Sequence, residues 1–175
     1  MFIALVVIIY FTVVRLPQST QSSISSVPKI SLEEDVCKEV ARKFGDCKIL
    51  LFDATSHLVF AETHSGIIPV LTNKQFTEFE KFIYPMMDFQ EFKEEKNERG
   101  SIDWRVDKDS SMIYGFAEDN AKTIVINSEG NVQPNKFFVR DNLWVWYVTF
   151  QKDEVTLPIE VSVYDADGKM IFGDY

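Results

Sequence analysis

The spacing of hydrophobic residues predicts one short amphipathic helix early in the globular part of the chain. Ser31 precedes the segment LEEDVCKEVARKF and Glu34 lies three residues after it, which is the pattern of a capping box. Val36, Val40 and Phe44 recur every four residues and so form one apolar helix face. The glycine that follows Phe44 is a natural end for this helix.

Short runs of β-branched and aromatic residues after this helix predict two or three antiparallel strands. The runs cover residues 47–53, 58–63 and 66–71, and turn residues bound each of them. Pro69 lies in the third run, so we expect that strand to be short or to lie at a sheet edge. These strands should carry the helix on one face.

The middle of the chain has a weaker pattern. Phenylalanines at helical spacing favour a helix over residues 72–84. Residues 88–100 are dense in charge and end at a glycine, which is typical of a solvated loop or the end of a helix. Residues 102–106 could add one more strand.

The last part of the chain alternates between strand-like runs and turns. Six short strands with regular turn signals predict a small β-sandwich of immunoglobulin-like type. The runs are residues 112–117, 121–127, 135–140, 143–150, 159–165 and 169–172.

The N-terminal residues predict a membrane segment or a signal peptide. Fourteen uncharged residues precede Arg15, and as a helix they would rise about 21 Å, less than the roughly 30 Å of a hydrocarbon core. We therefore expect residues 1–16 to be a signal anchor or a cleaved signal peptide. The Ser-rich residues 17–29 read as a linker.

The predicted organisation after the linker is an α+β module over residues 30–106 and the immunoglobulin-like sandwich over residues 107–175. The chain has 175 residues, of which 46% are hydrophobic and 14% aromatic, enough for one ordinary core or two small ones. Its net charge of −9 repels phosphate backbones and anionic lipid headgroups. We therefore expect no nucleic-acid partner.

A family resemblance lies mostly in the C-terminal part. The segments GFAEDNAKTIVIN, NKFFVRDNLWVWYVTF and LPIEVSVYDADGKMI resemble small uncharacterised secreted or membrane-anchored proteins of Bacillus-like Gram-positive bacteria. Those proteins share the pattern GxxxDxxxKxVxV, then IW(F/Y), then P(I/V)xVxxYDxDGKxI. The first helix and the segment ILLFDATSHLVFAE look like their N-terminal helix and strands. The resemblance implies the same fold, and it implies no catalytic residue because it carries no assigned activity.

Two stretches could hold a metal ion, and both fit other structures better. The segment YDADGK has Asp165 and Asp167 directly before a glycine, but the chain lacks the glutamate that closes a calcium loop. An Asp-Gly pair between apolar runs instead indicates a hairpin turn. Two cysteines and two histidines are spaced by nine, nine and six residues, which matches no zinc finger. We expect no metal and no cofactor.

Cys37 and Cys47 are the only cysteines. Outside the cell they could form a disulfide that stabilises the fold by roughly 2–3 kcal/mol, and two buried free thiols are the equal alternative. No nucleophile motif, zinc-protease motif or phosphate loop occurs, so we expect no enzyme.

The segment LWVWYVTF is the most informative one for binding. Alternation places Trp144, Trp146 and Val148 on one face of the strand, and both faces are apolar. Either the strand is central and covered on both sides, or one aromatic row is exposed. An exposed row would make Trp144 and Trp146 a stacking surface for a sugar ring or a partner.

These patterns together predict an extracytoplasmic α+β protein that binds without catalysing a reaction. It would face outward from the cell membrane, held by residues 1–16, or be secreted. Its partner would be an envelope protein, a membrane protein or a wall polymer. The alternatives are an envelope enzyme or enzyme inhibitor, and a structural accessory subunit of a membrane complex.

Overall fold

The first helix, α1 (Leu32–Phe44), begins with the predicted capping box. Ser31 Oγ accepts a hydrogen bond from the Glu34 backbone N–H, and Glu34 Oε2 accepts one from the Ser31 N–H, both at 3.2 Å. Val36 and Val40 are fully buried against the first sheet. The amphipathic pattern therefore predicted both the helix and its packing face.

Our computed structural model describes residues 31–127, 130–150 and 159–173, which fold into two helices and three antiparallel sheets. The predicted anchor or signal over residues 1–16 and the linker over residues 17–29 lie outside the described residues. Neither described helix has the length and hydrophobicity that a membrane crossing requires.

The first sheet consists of five strands: β1 (Lys48–Asp53), β2 (Leu58–Glu62), β3 (Gly66–Thr72), β4 (Phe79–Phe82) and β5 (Met87–Asp88). Their order is β1-β2-β3-β4, and the short β5 pairs with the start of β3. All three runs predicted to be strands before residue 72 are confirmed.

The expectation that Pro69 marks a short or edge strand is wrong. β3 is seven residues long and has partners on both sides. Pro69 lies between Ile67, where pairing with β5 ends, and Val70, where pairing with β4 begins. Its carbonyl still accepts a hydrogen bond from the Ile83 backbone N–H at 2.9 Å, so Pro69 takes part in the pairing although it has no N–H to donate.

The helix favoured over residues 72–84 does not form. The Asn73 side-chain oxygen accepts hydrogen bonds from the backbone N–H groups of Thr77 and Glu78, and such local bonds compete with helix formation. Phe79 then enters β4, where its N–H donates to Asp35 Oδ2 of α1 at 2.7 Å. Tertiary contacts with α1 and β3 therefore outweigh the phenylalanine spacing.

The charged stretch 88–100 forms a second helix, α2 (Phe89–Arg99), and is not only a solvated loop. Asp88 caps it by accepting hydrogen bonds from Gln90 N–H at 2.7 Å and Glu91 N–H at 3.0 Å. The helix contributes two nearly buried phenylalanines, Phe89 and Phe92, to the largest core.

The second and third sheets consist of these strands: β6 (Arg105–Asp107), β7 (Met112–Glu118), β8 (Thr123–Asn127), β9 (Asn131–Val132), β10 (Asn135–Arg140), β11 (Leu143–Thr149), β12 (Glu160–Tyr164) and β13 (Met170–Phe172). The second sheet has the order β10-β11-β7-β6, and the third has the order β13-β12-β8-β9. All six strands predicted from residue 112 onward form, and β9 is an additional one.

The second sheet is the middle layer of the molecule and is covered on both faces. On one face, Val145 and Tyr147 of β11 join a core with α2 and with Phe60 of the first sheet. On the other face, Trp146 and Val148 pack against the third sheet. The layers therefore run from α1 through the first and second sheets to the third.

The boundary predicted between residues 106 and 107 falls inside β6, and β6 pairs with β7. The largest core also contains residues from both sides of this boundary. The division of the chain into two modules stays a prediction.

A buried ion pair between Asp103 and Arg105 stabilises the start of the second sheet. Asp103 is 4% exposed, and it accepts hydrogen bonds from the Phe116 backbone N–H and the Arg105 guanidinium. The second guanidinium nitrogen of Arg105 donates to Glu91 on α2 at 2.8 Å. Burial raises the pKa of Asp103, and the charge of Arg105 opposes that rise. The hydrogen bonds from Phe116 and Arg105 and the charge of Arg105 offset part of the cost of burying this carboxylate.

A hydrogen bond between Tyr147 of β11 and Asp53 of β1 connects the second sheet to the first. The Tyr147 hydroxyl donates to Asp53 Oδ2 at 2.9 Å. Burial favours the neutral form of Asp53, but hydrogen bonds from Tyr147, Ser56 and Thr55 outweigh it and lower the pKa of this carboxyl. The contact should therefore be strongest when Asp53 is ionised.

We expect Tyr147→Phe to lower the free energy of unfolding at pH 7 by about 1–2 kcal/mol, because it removes a hydrogen bond to a carboxylate. A lowered native pKa contributes stability above the unfolded value of about 3.9, and this contribution is lost as the pH falls through the native pKa. Urea unfolding at pH 7 and at several values below pH 4 should show the difference from wild type shrinking in acid.

Tyr114→Phe is the matched control, since the Tyr114 hydroxyl donates to the Pro85 carbonyl at 2.7 Å and not to a carboxylate. The loss in free energy of unfolding caused by Tyr114→Phe should stay constant over the same pH range. A cost of Tyr147→Phe that is equally independent of pH would contradict the assignment.

Candidate functional site

Trp146 does not form part of an exposed aromatic row, and the prediction that placed it on a stacking surface is wrong. It is fully buried between the second and third sheets. Its indole Nε1–H donates to the Phe116 backbone carbonyl at 3.1 Å. The alternative, a central strand covered on both sides, holds for this part of β11 because the third sheet lies directly over it.

Trp144, two residues earlier, remains partly exposed. Its ring centroid lies 5.3 Å from that of Phe138 on β10, in an edge-on arrangement. Lys136 Nζ lies 4.8 Å from the same indole centroid. The indole Nε1–H donates to Asp119 Oδ1 at 2.5 Å, which fixes the ring orientation. We call Lys136, Phe138, Trp144 and Asp119 the β10–β11 patch.

The position of β10 explains why these side chains are accessible. β10 is an edge strand of the second sheet, beyond the part that the third sheet covers. Phe138 pairs with Trp144 across the strands, so both point to the same face, and Phe138 is 52% exposed. The neighbouring Phe137 points to the opposite face and packs in the largest core.

A register shift after Phe138 separates the two cations of β10. Arg140 pairs with Leu143 beyond the shift, and its guanidinium lies 3.8 Å from the ring centroid of Phe89 on α2. It also lies 3.6 Å from Glu62 Oε1. Lys136 therefore belongs to the patch, while Arg140 belongs to the side that faces α2.

The surroundings of Lys136 disfavour its charged form. Burial lowers its pKa, the nearby Lys122 lowers it further, and Asp119 opposes both. Its ammonium donates to the Ala121 carbonyl at 3.3 Å. A cavity of about 90 Å³ adjoins it, with Lys122, Thr123 and Pro134 in the wall. The patch can thus offer a ring face, an ammonium donor and a carboxylate acceptor to one ligand.

Cys37 and Cys47 form a disulfide that joins α1 to the residue before β1. Of the two states left open from the sequence, the structure contains the oxidised one. Disulfides persist mainly in oxidising compartments outside the cytosol.

The histidines lie apart from each other, at opposite ends of β2. His64 Nδ1 lies 3.2 Å from Asp46 Oδ1, while His57 precedes the strand. Among residues 31–127, 130–150 and 159–173, no group of three or more His, Cys, Asp or Glu side chains could hold a metal ion.

The DADG segment forms the hairpin turn between β12 and β13. Asp165 Oδ1 accepts hydrogen bonds from the backbone N–H groups of Asp167 and Lys169, at 3.0 and 2.9 Å. Gly168 has a φ of +76°, a conformation that glycine adopts without strain. The turn prediction is confirmed.

The sequence pattern did not indicate Lys136, Phe138 or Asp119 as partners of Trp144. Alternation in NKFFVR does place Lys136 and Phe138 on one face. The missing information was the register between β10 and β11 and the extent of the third sheet, neither of which is local.

Comparisons with protein-family models, with curated proteins and with solved structures found no match to this chain. The fold and the geometry of the patch are therefore the basis for the function proposed below.

Exposure predicts different stability costs for the adjacent Phe137 and Phe138. We expect Phe138→Ala to change the free energy of unfolding by less than about 0.5 kcal/mol, as for other surface positions. Phe137→Ala should cost at least about 2 kcal/mol, because its ring packs 5.1 Å from that of Phe60. Urea unfolding of both variants tests this, and similar costs would contradict the difference in packing between the two rings.

Proposed function

We propose that this chain is a non-catalytic binding protein of the cell envelope, facing outward from the membrane or secreted. The observation that carries the binding role is the β10–β11 patch, an exposed phenylalanine and a partly exposed tryptophan flanked by a cation and a carboxylate. Aromatic side chains in such settings commonly mark contacts with a partner.

The proposed location rests on two features that lie close together along the chain. The uncharged N-terminal residues end at Arg15 and are followed by a Ser-rich stretch, as in anchored or exported proteins. The Cys37–Cys47 disulfide then lies at the start of the globular part. An oxidised pair in this position fits export better than retention in a reducing cytosol.

We also propose that residues 107–175 form a β-sandwich of immunoglobulin-like type. In its support, β7 and β11 share a core with β8 and β12 of the third sheet, and both sheets are antiparallel. Sandwiches of this architecture commonly present binding surfaces at their ends and edges. The patch would lie at such an edge.

The partner is a protein of the envelope or membrane, or a wall polymer. The net charge of −9 disfavours polyanionic polymers. A wall ligand would therefore be a neutral glycan, whose sugar ring stacks on Trp144 while Lys136 and Asp119 meet its hydroxyl groups. A protein partner would use the same rings as an apolar contact.

The location is tested in the native host with a C-terminally tagged full-length chain. We expect a protease-sensitive form in the membrane fraction of whole cells, or a form in the medium that has lost its N-terminal residues. Immunoblotting and intact mass distinguish the two. A soluble, full-length chain that protease cannot reach in intact cells would contradict the proposal.

The binding role is tested by retention of the purified protein on isolated membranes and on purified cell walls. We expect one fraction to retain it, and we expect the double variant Phe138→Ala, Trp144→Ala to be retained at least about tenfold less because the apolar contact is lost. Phe52→Ala is the control, since Phe52 is 41% exposed on β1 of the first sheet. Retention of the double variant equal to wild type would overturn the role of the patch.

A further inference from the structure

Three aromatic rings surround the ammonium group of Lys43 at the end of α1. Lys43 Nζ lies 4.7 Å from the ring centroid of Tyr84, 5.3 Å from that of Phe82 and 5.9 Å from that of Phe44. All three distances are within the cation–π range of about 6 Å. We call Phe44, Phe82 and Tyr84 the aromatic cage.

The rings are oriented as walls and do not form a flat stack. Phe44 and Phe82 meet at 83° with their centroids 5.5 Å apart, and Phe82 and Tyr84 meet at 64° and 6.1 Å. Phe79 packs behind Phe82 at 4.9 Å. Since Phe44, Phe79 and Phe82 also pack against the core beneath α1, two walls of the cage are held in place without a ligand.

The surroundings of the cage favour a positive charge. Phe44 is the last residue of α1, and the C-terminal end of a helix carries a partial negative charge. The chain as a whole is acidic. No ion pair joins Lys43 to a described carboxylate, so the rings and the helix end are what hold its ammonium group there.

Lys43 is a poor occupant for this site. Its side chain is exposed and carries a primary ammonium, which is compact and strongly hydrated. A trimethylammonium group spreads the same charge over methyl groups that can touch all three rings. Aromatic cages recognise such groups because little hydration is lost on binding.

We propose that the aromatic cage binds a small soluble trimethylammonium compound of the choline type, and that Lys43 occupies the cage until the ligand displaces it. The site lies between α1 and β4 and shares no residue with the β10–β11 patch. It therefore does not depend on the function proposed above.

The first test is a titration of the full chain with choline chloride at constant ionic strength, followed by NMR of the aromatic side chains. We expect saturable shifts of the Tyr84 and Phe82 resonances with a dissociation constant in the millimolar range. The neutral isostere 3,3-dimethylbutan-1-ol should give no saturable shift. Absence of saturation up to about 100 mM choline, or an equal response to the neutral compound, would overturn the proposal.

Variants at Lys43 and Arg42 distinguish displacement of the Lys43 side chain by choline from a general effect of positive charge. Lys43→Ala should tighten choline binding about fivefold, because it removes both the competing occupant and a like charge. Arg42→Ala removes a positive charge one residue away, where Arg42 pairs with Glu39 at 2.8 Å outside the cage. It should change the affinity less than about twofold. Equal effects of the two variants would contradict displacement.

Variants at Tyr84 test the ring itself, which is 44% exposed and can be replaced without opening the core. Tyr84→Ala should weaken choline binding about fivefold, and Tyr84→Phe should keep it within about twofold of wild type. An unchanged choline affinity of the Tyr84→Ala variant would contradict the proposal that the aromatic cage is the binding site.

Phosphatidylcholine vesicles carry the same trimethylammonium group on a membrane surface. We expect any retention of the protein in a flotation assay to be equal for wild type and Tyr84→Ala, because the proposed anchor, residues 1–16, does not belong to the cage. Retention that depends on Tyr84 would overturn the assignment to a soluble ligand.

Discussion

The second sheet is buried on both faces, and the rest of the molecule is arranged to cover it. Tyr147 of β11 faces a core shared with the first sheet and α2, while Trp146 faces a core shared with the third sheet. A sheet with two apolar faces cannot remain exposed in water. The first and third sheets are therefore required as layers on either side of it.

Covering two faces brings Asp103 and the hydroxyl of Tyr147 inside, and both groups have hydrogen-bond partners. Asp103 has the Phe116 N–H and the Arg105 guanidinium, and the Tyr147 hydroxyl has Asp53. The Asp103–Phe116 and Tyr147–Asp53 contacts join residues that are 13 and 94 positions apart in the sequence. They add directional specificity to layers whose apolar packing is non-directional.

Both proposed binding surfaces lie where this covering ends. The third sheet stops short of β10, which leaves Phe138 and the edge of Trp144 accessible. On the opposite side of the molecule, α1 covers the outer face of the first sheet and ends at Phe44, where the rings of Phe82 and Tyr84 remain beside it. Each surface thus combines aromatic rings with a lysine at the margin of a core.

Local sequence determined the features that neighbouring residues alone can stabilise. The Ser31 capping box and the apolar face of α1 predicted that helix, and the Asp-Gly pair predicted the last hairpin. The strand runs after residue 112 were also predictable, because β-branched and aromatic residues between turn residues favour strands in many contexts.

Only the tertiary structure decided what depends on distant partners. Phe79 lies in β4, and not in a helix, because α1 and β3 offer hydrogen bonds that no local pattern encodes. Trp146 is buried and Trp144 is partly exposed, although both lie on one face of β11, because the third sheet covers only one of them. Alternation determines the face of a residue, but the extent of the neighbouring layer determines its exposure.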